Sequence, residues 1–165
     1  LFAAERRFRD LFERCYAPVL AYALRRAADS ADDVVAETFL VAWRRREEVP
    51  VGDGELPWLF ATARRVLANQ RRSSFRAKQL VRRLEESYSE PDTHDTSDVL
   101  GAVANLGATD REVLLLSAWE GLSYRQIAAI FSCSENAVAL RVQRARRRLE
   151  AELIERTTTR SEVQL

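Results

Sequence analysis

At 165 residues, with 47% apolar and 31% charged side chains, the chain is apolar enough to fold, as one compact domain or as two small ones. No window approaches the roughly 20 uninterrupted apolar residues of a membrane span, and residues 1–9 lack the apolar stretch of a secretory signal, so a cytoplasmic location is expected. The net charge of +1 averages over strongly segregated blocks, which is where the functional signal lies.

In chain order, Phe8, Leu11, Phe12, Cys15 and Val19 recur at helical spacing, with Pro18 expected to kink or restart the helix. No methionine is present, so the first residue is expected to be that of a trimmed N-terminus. Ser30 is the expected N-cap of a second helix, in which Val35, Phe39, Ala42 and Trp43 share one apolar face. On its other side Asp33, Glu37, Leu40 and Arg44 form a stripe in which an apolar leucine is framed by charges. That pattern suits a protein partner, although Asp32 and Asp33 also suit a helix N-terminus on electrostatic grounds alone.

Pro50, Gly52 and Gly54 break the chain before a third helix, expected to start near Pro57 and to bury Leu59, Ala63, Val66 and Leu67. Between Pro57 and Leu84 the charged residues are Arg64, Arg65, Arg71, Arg72, Arg76, Lys78, Arg82 and Arg83, with no acid among them. Arg65, Asn69, Arg72 and Arg76 form one stripe opposite the apolar face. A stripe of one sign can track a phosphate backbone, with Asn69 placed to read an exposed base; a solvated face would ordinarily mix signs.

From Glu85 to Asp98 the charge inverts, with six acids and no Lys or Arg. Residues 87–97 hold too little apolar surface to offset the entropy of ordering them. Two domains are therefore expected, over 1–84 and 98–155, joined by an acidic linker over 85–97 and followed by an unpatterned tail over 156–165.

The second domain is expected to hold three helices, Asp110 to Trp119, Tyr124 to Phe131 and Glu135 to about Leu153. Thr109 with Glu112 and Ser123 with Gln126 read as capping boxes, Gly121 as a stop, and Ser134 as the last cap. The last two helices and the short break Ser132-Cys133-Ser134 have the proportions of a helix-turn-helix. Val138, Val142, Ala145 and Leu149 would pack on Ile127 and Phe131. The other face offers Asn136, Leu140, Gln143 and Arg147 to bases, flanked by Ala137 and Arg144, with Arg146 and Arg148 suited to phosphates. Arg141 lies nearer the packed side, where an internal ion pair competes with a phosphate contact, and the whole helix read alone could equally be a solvated basic one.

Cys15 and Cys133 have no second Cys or His at ligand spacing, so both are expected as buried small hydrophobes; no metal or other cofactor is implied. A metal-dependent nuclease built on Asp32, Asp33 and Glu37 would need converging acids and an open coordination position, whereas these acids crowd one helix start. No enzyme is expected. A helix-turn-helix regulator independent of polymerase would use only the second domain.

Taken together the motifs resemble the extracytoplasmic-function (group four, sigma-70 family) RNA polymerase sigma factors. The run Asp29-Ser30-Ala31-Asp32-Asp33-Val34-Val35-Ala36-Glu37-Thr38-Phe39-Leu40-Val41-Ala42-Trp43, then Pro57-Trp58-Leu59-Phe60 with Ala63-Arg64-Arg65, resembles their region 2. Thr109 to Leu116, Glu120-Gly121-Leu122-Ser123-Tyr124, Ile127-Ala128, Arg141 and Arg144-Ala145-Arg146 are similar to their region 4. The resemblance implies an all-α protein of two small helical domains that binds core RNA polymerase and promoter DNA and promotes strand opening. It places Asp33, Glu37, Leu40 and Arg44 against the beta-prime clamp helices and region 4 on the beta-subunit flap. It places Arg64, Arg65, Asn69, Arg71, Arg72 and Arg76 at the melted minus-ten element, beside a Val49 to Leu56 loop that helps hold a flipped base. Arg125, Asn136, Ala137, Leu140, Arg141, Gln143, Arg144, Arg147 and Arg148 fall at the duplex minus-35 element. The acidic linker would thread toward the polymerase active cleft, and control by a separate anti-sigma protein is expected. Ala36, Arg65 and Ala139-Leu140 depart from the family pattern, where glutamine, asparagine and a lysine-serine pair are usual, so the promoter bases do not follow from the resemblance.

Overall fold

In a computed structural model, which describes residues 2–82 and 98–163, the chain forms two units, Leu1–Tyr88 and Ser89–Leu165. The described residues form helices and no strand. The linker expected over 85–97 lies outside the described residues.

In the first unit α1 (Phe2–Leu24), α2 (Ala31–Arg44) and α3 (Glu55–Arg82) pack on one another. α1 buries Leu11, Cys15, Val19, Tyr22 and Ala23, a three-and-four spacing that leaves a single apolar stripe. It runs through Pro18 as one helix and does not restart there, as apolar packing on both sides of Pro18 holds the helix across the lost hydrogen bond. α2 contributes Val34, Val35, Phe39 and Ala42, and α3 contributes Leu59, Phe60, Ala63, Val66 and Leu67. Rings interlock across the helices, Phe12 on Phe39 at 4.7 Å, Phe8 on Trp43 at 5.1 Å and Tyr22 stacked on Phe60 at 4.9 Å.

Ser30 stands at the N-cap of α2, but its side chain makes no capping bond. Its hydroxyl donates instead to Gln70 Oε1 of α3 at 3.3 Å. A cross-helix bond has thus replaced the local one that the sequence suggests. α3 begins at Glu55 with Pro57 buried in its first turn, where the missing N–H costs nothing.

The second unit holds α4 (Asp98–Ala104), α5 (Ala108–Ala118), α6 (Tyr124–Phe131) and α7 (Glu135–Val163). Leu106, Leu114 and Ala145 form one buried cluster with Leu149 against it, and Val113, Leu116, Ile127, Val138 and Val142 are buried too. Ser123 and Gln126 form the full reciprocal capping box. The Ser134 hydroxyl accepts from Ala137 N–H at 3.1 Å and caps α7. Gly121 at φ +67 turns the chain after α5, so that Leu122 N–H reaches Leu116 O at 3.0 Å.

Three expectations are corrected here. α5 starts at Ala108 with Gly107 as N-cap, and Thr109 caps nothing, because it lies inside the first turn rather than at the non-helical position that a capping side chain needs. α4 was not foreseen; seven residues are too few for periodicity to declare itself. α7 runs on to Val163 rather than ending near Leu153, since no glycine or proline follows Gly121 to stop it.

Candidate nucleic-acid and partner surfaces

Helical spacing sends Asp33, Glu37 and Leu40 to the side of α2 opposite Val35, Phe39 and Ala42, and all three are exposed, Leu40 by 41%. α3 divides the same way: Ala63, Val66 and Leu67 are buried while Arg64, Arg65, Asn69, Arg71 and Arg72 face out. The packing of α2 on α3 then joins two stripes that look independent in the sequence. Asp33, Glu37 and Leu40 form one wall of an open groove of about 1040 Å³, and Arg65, Asn69 and Ser73 form the other. The groove is acidic on one side and basic on the other, so a polyanion is attracted to the α3 wall and repelled from the α2 wall.

Arg44, Arg64, Arg71 and Arg72 lie outside the groove lining, on exposed neighbouring positions. Arg72 donates through Nη2 to Asn69 Oδ1 at 2.9 Å and through Nε to Ala68 O at 3.3 Å, which orients the Asn69 amide. The side chain of Arg76 lies outside the described residues. Arg45, on the groove rim and paired with Glu48, has no counterpart among the expected site residues, because it follows the last periodic residue of α2.

The loop from Val49 to Leu56 is held at both ends by α1. Arg7 Nη2 donates to Val49 O at 2.6 Å, and Arg14 Nη2 donates to both Glu55 oxygens at 2.9 and 3.0 Å. The hydrogen bond to Glu55 also raises the Arg14 pKa, and Glu55 itself is buried. None of this was legible in the sequence, where nothing links Arg7 or Arg14 to residues some forty positions on. Burial pushes the Cys15 thiol up as well, with Glu55 adding to the shift.

In the second unit a left-handed Ser132, φ 51, turns α6 into α7, and Cys133 N–H bonds Ala128 O at 3.1 Å. Cys133 is half-buried rather than buried, since the turn leaves one side open. Val138, Val142 and Ala145 face the core, so Asn136, Leu140, Gln143, Arg144 and Arg147 are exposed together, Leu140 by 53%. Ala137 is half-buried, and Arg125 of α6 is exposed. Arg141 is half-buried beside the packed face, with no ion pair to another described residue. Arg148, expected at the minus-35 duplex, has its guanidinium 3.2 Å from the Asp110 carboxylate of α5. Among the described residues no three Asp, Glu, His or Cys side chains converge, and no helix is long and apolar enough to cross a membrane.

The Sigma-70 region 2 family profile matches residues 11–78, and the Sigma-70, region 4 profile matches residues 97–149. The chain is 35% identical over 165 residues to the ECF RNA polymerase sigma factor SigL of Mycobacterium tuberculosis, covering 92% of each protein. It is 34% identical over 140 residues to the sigma factor EcfG of Rhodopseudomonas palustris, covering 79% of this chain and 75% of EcfG. Among solved structures it is similar to the sigma factor RpoE in complex with the anti-sigma factor NepR from Bartonella quintana. That match has a TM-score of 0.72 at 27% identity, over 90% of this chain and 97% of the other. CnrH, in complex with the cytosolic domain of CnrY, gives a TM-score of 0.66 at 27% identity, over 92% and 90%.

Proposed function

We propose, from the premise that this chain belongs to the extracytoplasmic-function RNA polymerase sigma factors, that residues 1–84 act as region 2, residues 98–155 as region 4, and residues 85–97 as the link between them. The protein is an alternative sigma factor of transcription initiation, in a family of transcription factors and not of enzymes. Its partners are core RNA polymerase and promoter DNA, and it works in the cytoplasm, at the nucleoid once polymerase is bound.

The observation that carries the division of labour is the outward order of α2 and α3. Leu40 stands exposed among Asp33, Glu37 and Arg44, an apolar anchor inside a charged frame, which suits the beta-prime clamp helices. Arg65, Asn69 and Arg72 stand on the neighbouring acid-free face, with Arg64 and Arg71 flanking, which suits single-stranded minus-ten DNA, and Arg76 continues the stripe in the sequence. In region 4, Asn136, Leu140, Gln143, Arg144 and Arg147 enter the major groove of the minus-35 duplex, and Arg125 and Arg141 contact its phosphates. The acidic link runs toward the polymerase cleft. Because the sigma factor RpoE, among the solved relatives, is held in complex with the anti-sigma factor NepR, an anti-sigma protein is the expected regulator here too.

Transcription by purified core polymerase on a genomic promoter library tests this reading. Transcripts that depend on the added chain are expected. A chain that binds duplex promoter DNA but neither co-purifies with core enzyme nor directs transcription would be a helix-turn-helix regulator instead, and residues 11–78 would be left without a task.

A further inference from the structure

The loop between α2 and α3 is more tightly determined than a surface connection requires. Arg7 and Arg14 lie seven residues apart on α1, two turns along one face, and each grips one end of the segment. Arg7 takes the Val49 carbonyl and Arg14 the Glu55 carboxylate. Within the loop Gly52 holds φ +76, and a Cβ on Gly54 would come within 2.7 Å of Pro50 Cβ, so the path held by the two arginines calls for glycine at both positions. At the tip of this fixed loop Val51 is 78% exposed, although nothing in the fold requires an apolar side chain there. The hollow beside it is lined by Arg6, Arg7 and Arg14 as well as Asp10 and Glu55, the latter already neutralised by Arg14. An apolar tip beside Arg6 and Arg7, which outnumber the one remaining acid, Asp10, matches the two halves of a nucleotide, a base face and a phosphate.

We propose that Arg7 and Arg14 are positioning residues, holding the loop between Val49 and Glu55 in the shape that presents Val51 to one nucleotide of the melted strand. The proposal rests on the reading of the first unit as the binder of melted promoter DNA, in which the family resemblance already gives this loop a flipped base to hold; the part of the two arginines is what it adds. It adds α1, which carries none of the expected DNA-binding residues, to the apparatus that sets which strand is preferred. Arg14 acts through Glu55 at the first position of α3, and Arg7 through a backbone carbonyl, so neither needs to touch DNA.

The test uses the full chain assembled with core polymerase. Selection from a random single-stranded DNA library first defines a preferred strand, and affinities are then measured for that strand and a scrambled one. Arg14→Gln and Val51→Ser are each expected to lower the preference about ten-fold, with scrambled-strand affinity within about two-fold of wild type. Arg14→Lys, whose ammonium can still bond both Glu55 oxygens, is expected to keep the preference. Arg14→Gln combined with Glu55→Gln leaves no buried carboxylate unpaired, so it folds while still losing the preference. Hydrogen exchange across residues 50–56 should quicken in that double variant. An undiminished preference in Arg14→Gln and the double variant overturns the proposal, as does equal weakening on both strands. If the wild-type assembly enriches no strand at all, the reading of the first unit falls, and the proposal with it.

Discussion

Arg148 of α7 donates to the Asp110 carboxylate of α5 across 3.2 Å, and the Asp110 side chain is only 15% exposed. A guanidinium that reads in the sequence as a phosphate contact thus already has a partner inside its own unit. Arg147, one residue away, is exposed on the outer face of the same helix. Replacing Arg125 of α6, the exposed arginine placed on a phosphate, with alanine should reduce the slope of log affinity against log salt on duplex DNA by about 1, the amount lost with one phosphate contact. Arg148→Ala should change that slope by clearly less and act mainly on stability. Equal changes in slope would show Arg148 leaving Asp110 for DNA.

Gln143 and Arg144 project beside each other from the exposed face of α7. Removing either should cost about 1 to 3 kcal/mol on the preferred minus-35 duplex, and the loss should be smaller on a scrambled duplex. Titrations on both duplexes check this, and a uniform loss would reassign the residue to the backbone.

Leu40 and Phe39 are neighbours in sequence with opposite surroundings, 41% against 4% exposed. Leu40→Asp should leave thermal unfolding near that of the wild type while weakening association with core polymerase. Phe39→Ala should cost about 3–5 kcal/mol of stability, because it empties a ring-lined site in the core. Calorimetry alongside a polymerase pull-down separates the two effects, and unfolding by Leu40→Asp would place Leu40 in the core.

Two serine-threonine positions that look alike in sequence should respond differently. Ser123→Ala removes a side chain that accepts from Gln126 N–H, and should cost about 0.5–2 kcal/mol. Thr109→Ala removes no cap and should stay within about 0.5 kcal/mol. Chemical denaturation of the two variants measures the difference directly.

The Cys15 thiol is held above its ordinary pKa chiefly by burial. A group raised on folding adds stability that is complete below its unfolded pKa and lost as pH rises through the folded one. Stability should therefore be insensitive to this thiol near neutrality and decline above the ordinary thiol value. Cys15→Ala should remove that part of the decline in a Tm-against-pH series. In native protein, iodoacetamide should modify half-buried Cys133 well before Cys15.

Much of the fold was legible because helices declare themselves locally. The three-and-four spacing of Val35, Phe39 and Ala42, and of Val138, Val142 and Ala145, is set by 3.6 residues per turn, and burial follows it in both units. The Ser123–Gln126 box and the Ser134 cap were readable for the same reason, since donor and acceptor lie three residues apart. The outward faces of α2, α3 and α7, and hence the candidate binding residues, are the complements of those buried stripes.

The relations between distant residues were settled only by packing. Ser30 turned from its own helix to Gln70, Asp110 found Arg148, and Arg7 and Arg14 found the two ends of a loop some forty residues on. The groove that sets Glu37 opposite Arg65 exists because α2 lies against α3. A periodic sequence fixes which way a side chain points from its own helix axis. What it meets there depends on the crossing of two axes, which is decided by the fit of whole surfaces.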